Sequence, residues 1–347
     1  MSEERIKLAI DAMGGDYAPK EIVEGVNLAI QNNPSLELVL FGDEAQIKEY
    51  LVPNERVSIV HANDKLDMGV KDPIRAIRTN KELSLVKAFE AVKNKECLGA
   101  VTCGPTQGVV VAAHMIVKKI EGMGRIALCP IMPEFGGKSR LLLDVGANVE
   151  LRAEHIVQIA HFAATYLSMS QGIKNPIVGL VNIGSEPGKG REVDKEAYEA
   201  LKNDPSINFY GNIEPKEMFE SECDVLVTDG YCGNLVLKTL EGTAKAVGEE
   251  LKIAIKSSFW SKLGYALFMR KAFNKFKKKV SGDDVGGALL FGVDGVIVKS
   301  HGSSNAYTFS KAIERCASGV KGNYVEAMKA RLKEEQAQLE QATQENN

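Results

Sequence analysis

The sequence lacks the signatures of several common protein classes. No Gly-x-Gly-x-x-Gly run follows a strand-like segment, and no Walker-type Gly-x-x-x-x-Gly-Lys-Ser/Thr occurs, so neither nucleotide-binding fingerprint is present. No uninterrupted apolar stretch is long enough to span a bilayer. The N-terminus passes from Met-Ser-Glu-Glu straight into a strand-like run, so no export signal is expected. The six cysteines (Cys97, Cys103, Cys129, Cys223, Cys232 and Cys316) include no Cys-x-x-Cys pair, and they are expected to be reduced thiols of a cytoplasmic protein. Charge of one sign is missing too. With 43 Lys and Arg against 46 Asp and Glu the net charge is −3, and no global field draws the chain to nucleic acid. There is no internal repeat and no clean domain linker.

What is present suits a globular enzyme. The 347 residues, 44% of them hydrophobic, are enough for one large α/β domain or two modest ones. Apolar strand-like runs alternate with helical patterns throughout. Strands are expected at Arg5 to Ala12, Leu36 to Phe41, Val57 to Val60, Leu98 to Cys103, Ile126 to Cys129, Arg140 to Val145, Pro176 to Ile183, Ile207 to Tyr210, Val225 to Val227 and Gly292 to Val298. Such alternation predicts a mainly parallel sheet covered by helices. Gly, Asp, Asn and Ser collect where strands end, and in such sheets ligands bind beyond those ends. The candidate site turns are therefore 11–16, 102–108, 144–148, 182–192, 229–234 and 301–305.

One of these turns, Asn182 to Glu192, sets Gly184, Gly188 and Gly190 around Lys189, between a strand and a helix. Glycines let backbone N–H groups approach an anion, a helix N-terminus adds positive potential, and lysine is a movable cation. The turn reads equally as a phosphate cradle or as a flexible loop with a solvated lysine. Cys103 and Cys232 sit in Gly-rich turns, where a nucleophilic thiol and a small buried side chain are both open readings. From Leu251 to Gly282 there is no acidic residue, while Lys252, Lys256, Lys262, Arg270, Lys271, Lys275 and further lysines alternate with Phe259, Trp260, Leu263, Phe268, Phe273 and Phe276. A basic, aromatic-rich helical stretch fits a membrane surface, where each basic residue contributes about 1 kcal/mol. It equally fits packing on the sheet, on a second subunit or on an acidic protein. A helical hairpin with an exposed tip is expected. The polar tail of residues 331–347 is expected to begin as a helix and fray.

Taken together, Ile10-Asp-Ala-Met-Gly-Gly-Asp16, Leu143-Asp-Val-Gly-Ala-Asn-Val149, Asn182-Ile-Gly, Gly188-Lys-Gly190, Tyr210-Gly-Asn-Ile213, Asp229-Gly-Tyr-Cys-Gly-Asn-Leu-Val-Leu-Lys238, Gly286-Gly-Ala-Leu-Leu290 and Lys299-Ser-His-Gly-Ser-Ser-Asn305 resemble the acyl-carrier-protein:phosphate acyltransferase (PlsX) family of bacterial phospholipid synthesis. The resemblance implies a three-layer α/β/α fold like that of isocitrate and isopropylmalate dehydrogenases, shared by phosphotransacetylases. It implies one large domain over residues 1–330 with the basic insertion at about 250–282, and a homodimer. The implied reaction converts acyl-carrier-protein thioester and inorganic phosphate to acyl phosphate, which passes to a membrane glycerol-3-phosphate acyltransferase. No metal or organic cofactor is expected. The setting expected from the residues is the cytoplasm with peripheral contact to the inner face of the membrane, and Trp260, Phe268, Lys271 and Lys275 are the expected surface for the anionic membrane or for acyl-carrier protein. One stretch departs from the family's Ser-Ala-Gly-Asn-Thr-Gly-Ala: here it is Thr102-Cys-Gly-Pro-Thr-Gln-Gly108, with Pro105 and Gln107 in place of Asn and Gly.

Because phosphate is itself a nucleophile, the reaction calls for positioning and oxyanion stabilisation rather than a protein nucleophile. The resemblance turns Lys189 toward a role as cation for phosphate or the developing oxyanion, and Asn234 toward a role as amide donor rather than helix cap. Asp11 reads as an orienting carboxylate or proton acceptor, or as turn chemistry, which is the favoured reading for Asp16. His301 reads as acid or base, or as a structural hydrogen-bonding residue. Gly14, Gly15, Asn148, Asn182, Gly188, Gly190, Asp229, Gly230 and Gly233 are expected around the substrates. Two other functions compete: a nicotinamide-dependent dehydrogenase of the same fold, and a non-catalytic membrane scaffold for acyl-carrier protein.

Overall fold

Uninterrupted apolar runs such as Leu36-Glu-Leu-Val-Leu-Phe can be buried on both faces only inside a covered sheet, and that is where they lie. The computed structural model describes residues 5–135, 138–273 and 286–345. In it, eleven strands form one sheet in the order β3-β2-β1-β4-β11-β10-β5-β6-β9-β7-β8. Numbered along the chain, these are β1 (Ile6–Asp11), β2 (Leu36–Gly42), β3 (Val57–His61), β4 (Gly99–Thr102), β5 (Ala127–Phe135), β6 (Lys138–Leu143), β7 (Ile177–Val181), β8 (Asn208–Ile213), β9 (Val225–Val227), β10 (Ala288–Phe291) and β11 (Val296–Lys299).

β3, β2, β1, β4 and β11 run parallel, as do β6, β9, β7 and β8. Between the two groups, β10 is antiparallel to both β11 and β5, and β5 is antiparallel to β6. The two parallel groups therefore point in opposite directions. The single strand expected over Gly292 to Val298 is a hairpin in the structure. Gly292, at φ +87°, turns β10 into β11, and a left-handed φ is cheap only for glycine.

The reversal sends the two groups of turns to opposite edges of the sheet. The distance between the edges is small at the junction. Lys299, Ala288 and Pro130 lie in one row of the sheet. Asp144, just past β6, accepts from Leu128 N at 2.9 Å, two residues along β5 from that row. Two residues of strand rise by about 7 Å.

Helices cover both faces. On one lie α1 (Lys20–Asn32), α6 (Ala153–Gln171), α7 (Glu192–Asn203), α10 (Ala306–Gly322) and the start of α11 (Tyr324–Glu345), over a core that includes Ile10, Phe162, Phe291, Phe309 and Tyr324. Phe162 stacks on Phe291 at 4.9 Å and Tyr166 meets Tyr324 edge-on at 5.1 Å, which ties the reversed strand β10 to α6 and α11. On the other face lie α3 (Pro73–Thr79), α4 (Ser84–Lys93) and α5 (Thr106–Ala112), joined by the first turns of α8 (Gly230–Lys256). The short α2 (Glu44–Lys48) begins at Asp43, whose carboxylate accepts from Gln46 N.

α8 leaves the body of the protein: only Gly230 and Gly233 of its 27 residues are buried. After a break at Ser257 and Ser258 the chain continues as α9 (Phe259–Gly264) and a wider π turn to Met269. Trp260 and Phe268 are 76% and 83% exposed, and Lys271 is exposed. Lys275 lies outside the described residues. The C-terminal helix runs on to Glu345, further than a fraying tail would. Among the described residues no helix is long and apolar enough to cross a membrane.

Candidate active site

In the first half of the sheet, Asp11 ends β1 fully buried. Its carboxylate accepts from Ser84 Oγ (2.6 Å), Thr102 Oγ1 (2.7 Å) and Met13 N (3.4 Å). Burial raises its pKa while these hydrogen bonds pull it back. Thr102 Oγ1 accepts in turn from Gly104 N at 2.9 Å. A Cβ on Gly14 would lie 2.5 Å from Asp11 Oδ2, and one on Gly15, at φ +108°, 2.8 Å from Cys103 Cβ and 3.0 Å from Gly302 O. Asp16 N donates to Gly302 O at 2.8 Å. The turn 11–16 is thus a brace holding turns 102–108 and 301–305 together. Asp11 is bonded to Ser84 and Thr102, not to Lys189.

In the second half, Asp144 plays the corresponding part, and the sequence reading did not single it out. Its buried carboxylate accepts from the N–H groups of Leu128, Gly146, Ala147 and Asn148 and from Asn148 Nδ2, at 2.8 to 3.2 Å. The first turn of α8 packs directly on this loop. A Cβ on Gly230 would overlap the carbonyl of Asn148, and one on Gly233 the carbonyl of Asp144. Asp229 caps the helix, accepting from Cys232 N at 2.8 Å, and is paired with Arg191, which also binds Asp194. Both carboxylates hold the Arg191 guanidinium well above its usual pKa. The helix therefore starts at Gly230, and Asn234, read from the sequence as a possible helix cap, lies past the cap, in the second turn.

Among the described residues, turn 182–192 is tied to this arrangement through Arg191. Asn182 Nδ2 donates to Lys189 O (3.1 Å) and Asn212 Oδ1 (3.2 Å). Gly190 takes φ +92°, with Asn182 Oδ1 2.6 Å from where a Cβ would be, while Gly188 faces open space. The Lys189 side chain is half exposed, its ammonium 4.0 Å from Glu186 Oε1.

From Gly230 to Ala244, α8 rises on the order of 20 Å, enough to cross from the Asp144 loop to turn 301–305. Between it and the sheet lies a cavity of about 620 Å³. Leu128, Pro130, Ile131, Leu237, Leu240 and Ala288 supply apolar lining; Gln107, Gly146, Asn234, Lys238, Glu241, Lys299, Ser300, His301 and Ser304 supply polar lining. Four of the six candidate turns line it: 102–108, 144–148, 229–234 and 301–305. Turns 11–16 and 182–192 brace those four, and Lys189 is not in the lining. Gln107, one of the two departures from the family pattern, is in the lining; Pro105 instead precedes α5.

Two groups in the cavity have no hydrogen bond or ion pair among the described residues. Lys299 closes an apolar strand, is half-buried, and has no carboxylate or hydrogen-bond partner among the described residues; burial lowers its pKa. The Asn234 amide, beside Gly146, also has no partner among the described residues. Lys238, by contrast, pairs with Glu241 at 2.6 Å. His301 remains open to solvent, but partial burial and then Lys299 push its pKa below the ordinary 6.5. Ser303 N points at His301 Nδ1 (3.3 Å), which makes Nδ1 the acceptor and assigns the ring proton to Nε2. The environment of both thiols disfavours the thiolate: Cys103 is buried with its pKa pushed up to about 12, and burial raises that of Cys232 as well. Among the described residues no group of three or more His, Cys, Asp or Glu is placed to hold a metal ion.

The model of the family described as fatty acid synthesis protein matches residues 6–327. The chain belongs to that family. A relative from Acholeplasma laidlawii (strain PG-8A), named phosphate acyltransferase, is 46% identical over 325 residues, 93% of this chain and 97% of the relative. One of the same name from Staphylococcus aureus (strain Newman) is 44% identical over 324 residues, again 93% and 97% of the two chains. Among solved structures, a phosphotransacetylase from Streptococcus pyogenes superposes with TM-score 0.56 at 18% identity, covering 93% of this chain and 94% of that one. A branched-chain phosphotransacylase from Enterococcus faecalis V583 does so with TM-score 0.57 at 14% identity, covering 91% and 99%. The family member described here thus shares its α/β/α fold with phosphotransacylases.

The depressed pKa of His301 has a thermodynamic consequence. Between the folded value and 6.5 the unfolded chain binds the proton more readily, so stability present above pH 6.5 is lost as pH falls through that window. His155 and His161 are lowered too and are common to wild type and variant. Urea unfolding of the His301→Gln variant is expected to show a smaller loss than wild type as pH drops below 6.5; equal losses would contradict the shift.

Proposed function

We infer that this protein is a phosphate acyltransferase, transferring an acyl group from acyl-carrier-protein thioester to inorganic phosphate. The relatives' names support acyl transfer over hydride transfer. The observation that carries the reading in the molecule is Lys299, a half-buried ammonium with no ion pair or hydrogen bond among the described residues, in a cavity lined by both apolar and polar groups. A cation in that setting favours an anionic ligand, since an unpaired charge held partly out of water is costly. A pure scaffold has no need of it.

In this reading phosphate binds Lys299, with the His301 Nε2–H and Ser304 beside it, and the acyl chain lies along Leu128, Ile131 and Leu240. A phosphate oxygen attacks the thioester carbonyl carbon. The Asn234 amide donates to the tetrahedral oxyanion. The oxyanion collapses, the C–S bond breaks, and the carrier's thiolate leaves and takes a proton from solvent. The enzyme contributes position and charge stabilisation, and one oxyanion donor is typically worth about 10²–10³ in rate. The acyl phosphate then serves a membrane glycerol-3-phosphate acyltransferase.

The protruding α8–α9 segment supports two surface roles. Its exposed Phe259, Trp260, Leu267, Phe268 and Met269 form an apolar tip among Lys256, Lys262, Arg270 and Lys271. Such a tip suits reversible contact with an anionic membrane, and α8 suits pairing in a homodimer. Wild-type protein is expected to sediment with anionic vesicles and the Trp260→Glu/Phe268→Glu variant to stay in solution; equal sedimentation would remove the membrane role.

For the chemistry, purified protein is expected to make acyl phosphate from acyl-carrier protein and phosphate. Lys299→Ala and Asn234→Ala should each lower kcat by about 10²–10³. No product from wild type would refute the function, and near-normal turnover in either variant would remove that residue. Lys189→Ala is the comparison variant: a loss as deep as that of Lys299→Ala would mean that turn 182–192 folds onto bound phosphate.

A further inference from the structure

A second concavity, of about 450 Å³, lies beside the active-site cavity, between α3, α5 and the chain from Lys119 to Ile126. Its floor is apolar, with Val110 and Met115, and Arg78, His114, Lys119 and Arg125 ring it. No carboxylate lines it, and none of the four basic groups forms an ion pair among the described residues. Their only side-chain hydrogen bonds there run from Lys119 and Arg125 to the neutral carbonyl of Gly124, at 2.8 and 3.4 Å. Elsewhere on the surface lysines are commonly compensated, as in Lys48–Glu44, Lys87–Glu82 and Lys252–Glu249. In a chain of net charge −3, this is a local accumulation of uncompensated positive charge.

Its position connects it to the chemistry. Ile126 and Asn148 line this concavity, while Leu128 and Gly146, two residues from each, line the active-site cavity. The two hollows sit back to back across the Asp144 turn.

We propose that this basic concavity is where the carrier protein that delivers the acyl thioester docks, through an acidic amphipathic helix. An apolar side chain of that helix covers the floor, and carboxylates on either side meet Arg78, His114, Lys119 and Arg125. Complementary charge gives such a partner both steering and register. The site is open rather than enclosed, with exposed Arg78 and Arg125 at its rim, as suits a protein rather than a small anion. The proposal rests on the acyltransferase reading for the identity of the partner, and not for the surface itself.

The test is direct binding of unacylated carrier protein, followed by fluorescence anisotropy at low and high salt, so that no turnover is involved. The Arg78→Glu/Arg125→Glu variant is expected to bind about tenfold or more weakly at low salt, with a flatter salt dependence. Lys252→Glu/Lys262→Glu, on the protruding helices, should bind as wild type does. Both substituted pairs lie on the surface, and unchanged melting temperatures confirm intact folds. The proposal is overturned if wild type fails to bind, if the Arg78/Arg125 variant binds normally, or if the helix variant is the one that loses affinity. It is also overturned if charge reversal changes only the oligomeric state, which would assign the surface to a second copy. Carrier binding without acyl phosphate formation would refute the enzymatic reading and leave the docking surface standing.

Discussion

The carboxylate of Asp144 gathers the backbone N–H groups of Leu128, Gly146, Ala147 and Asn148 into one buried turn. Burying a carboxylate is costly, and the donors around it offset that cost only while the turn keeps its shape. On that shape rests the start of α8, with Gly230 and Gly233 against the carbonyls of Asn148 and Asp144. The direction of α8 follows, and with it the placement of Asn234 and Lys238 opposite Lys299 and His301. The candidate cavity exists because a helix is pinned at one edge of the sheet and leans toward the other.

That lean is required by the topology. Had all eleven strands run one way, the Gly-rich turns would have shared one edge and met there directly. The antiparallel junction of β10 and β5 reverses half the sheet, and short strands keep the two edges close enough for one helix to bridge them. The division of labour among the turns follows. Turn 11–16 clamps 102–108 to 301–305 and Arg191 ties 182–192 to the cap of α8, while turns 102–108, 144–148, 229–234 and 301–305 face the cavity. The same Asp144 turn separates the active-site cavity from the basic hollow behind it, which places the two within one short stretch of β5 and its neighbour.

Much of this was legible in the sequence where the signal was local. The alternation of strand and helix and the clustering of Gly and Asp at strand ends mark places where backbone needs are met by nearby residues. What escaped depended on distant partners. Four residues, Ala288 to Phe291, become an antiparallel strand only because β11 and β5 are there to pair with them. Asn234 read as a possible helix cap because it follows Gly233 and precedes the apolar Leu235-Val-Leu, whereas Asp229 had already capped the helix. Lys189 stood out among glycines; the structure places it beside Glu186 and outside the cavity lining, whereas Lys299, a lining residue with no ion pair among the described residues, looks in sequence like an ordinary lysine ending a strand. An apolar run such as Val296-Ile-Val closed by a single lysine was the available hint. Asp144 was visible only as part of a motif, since its role depends on amides from two separate segments.

The account turns on where inorganic phosphate sits. A crystal structure of the protein with phosphate or sulfate bound would locate it directly. The account predicts the anion within hydrogen-bonding distance of Lys299 Nζ, in the cavity between α8 and turn 301–305, with the Asn234 amide facing it. An anion held by turn 182–192 on the far side of Arg191, with the Lys299 cavity left to solvent, would contradict it.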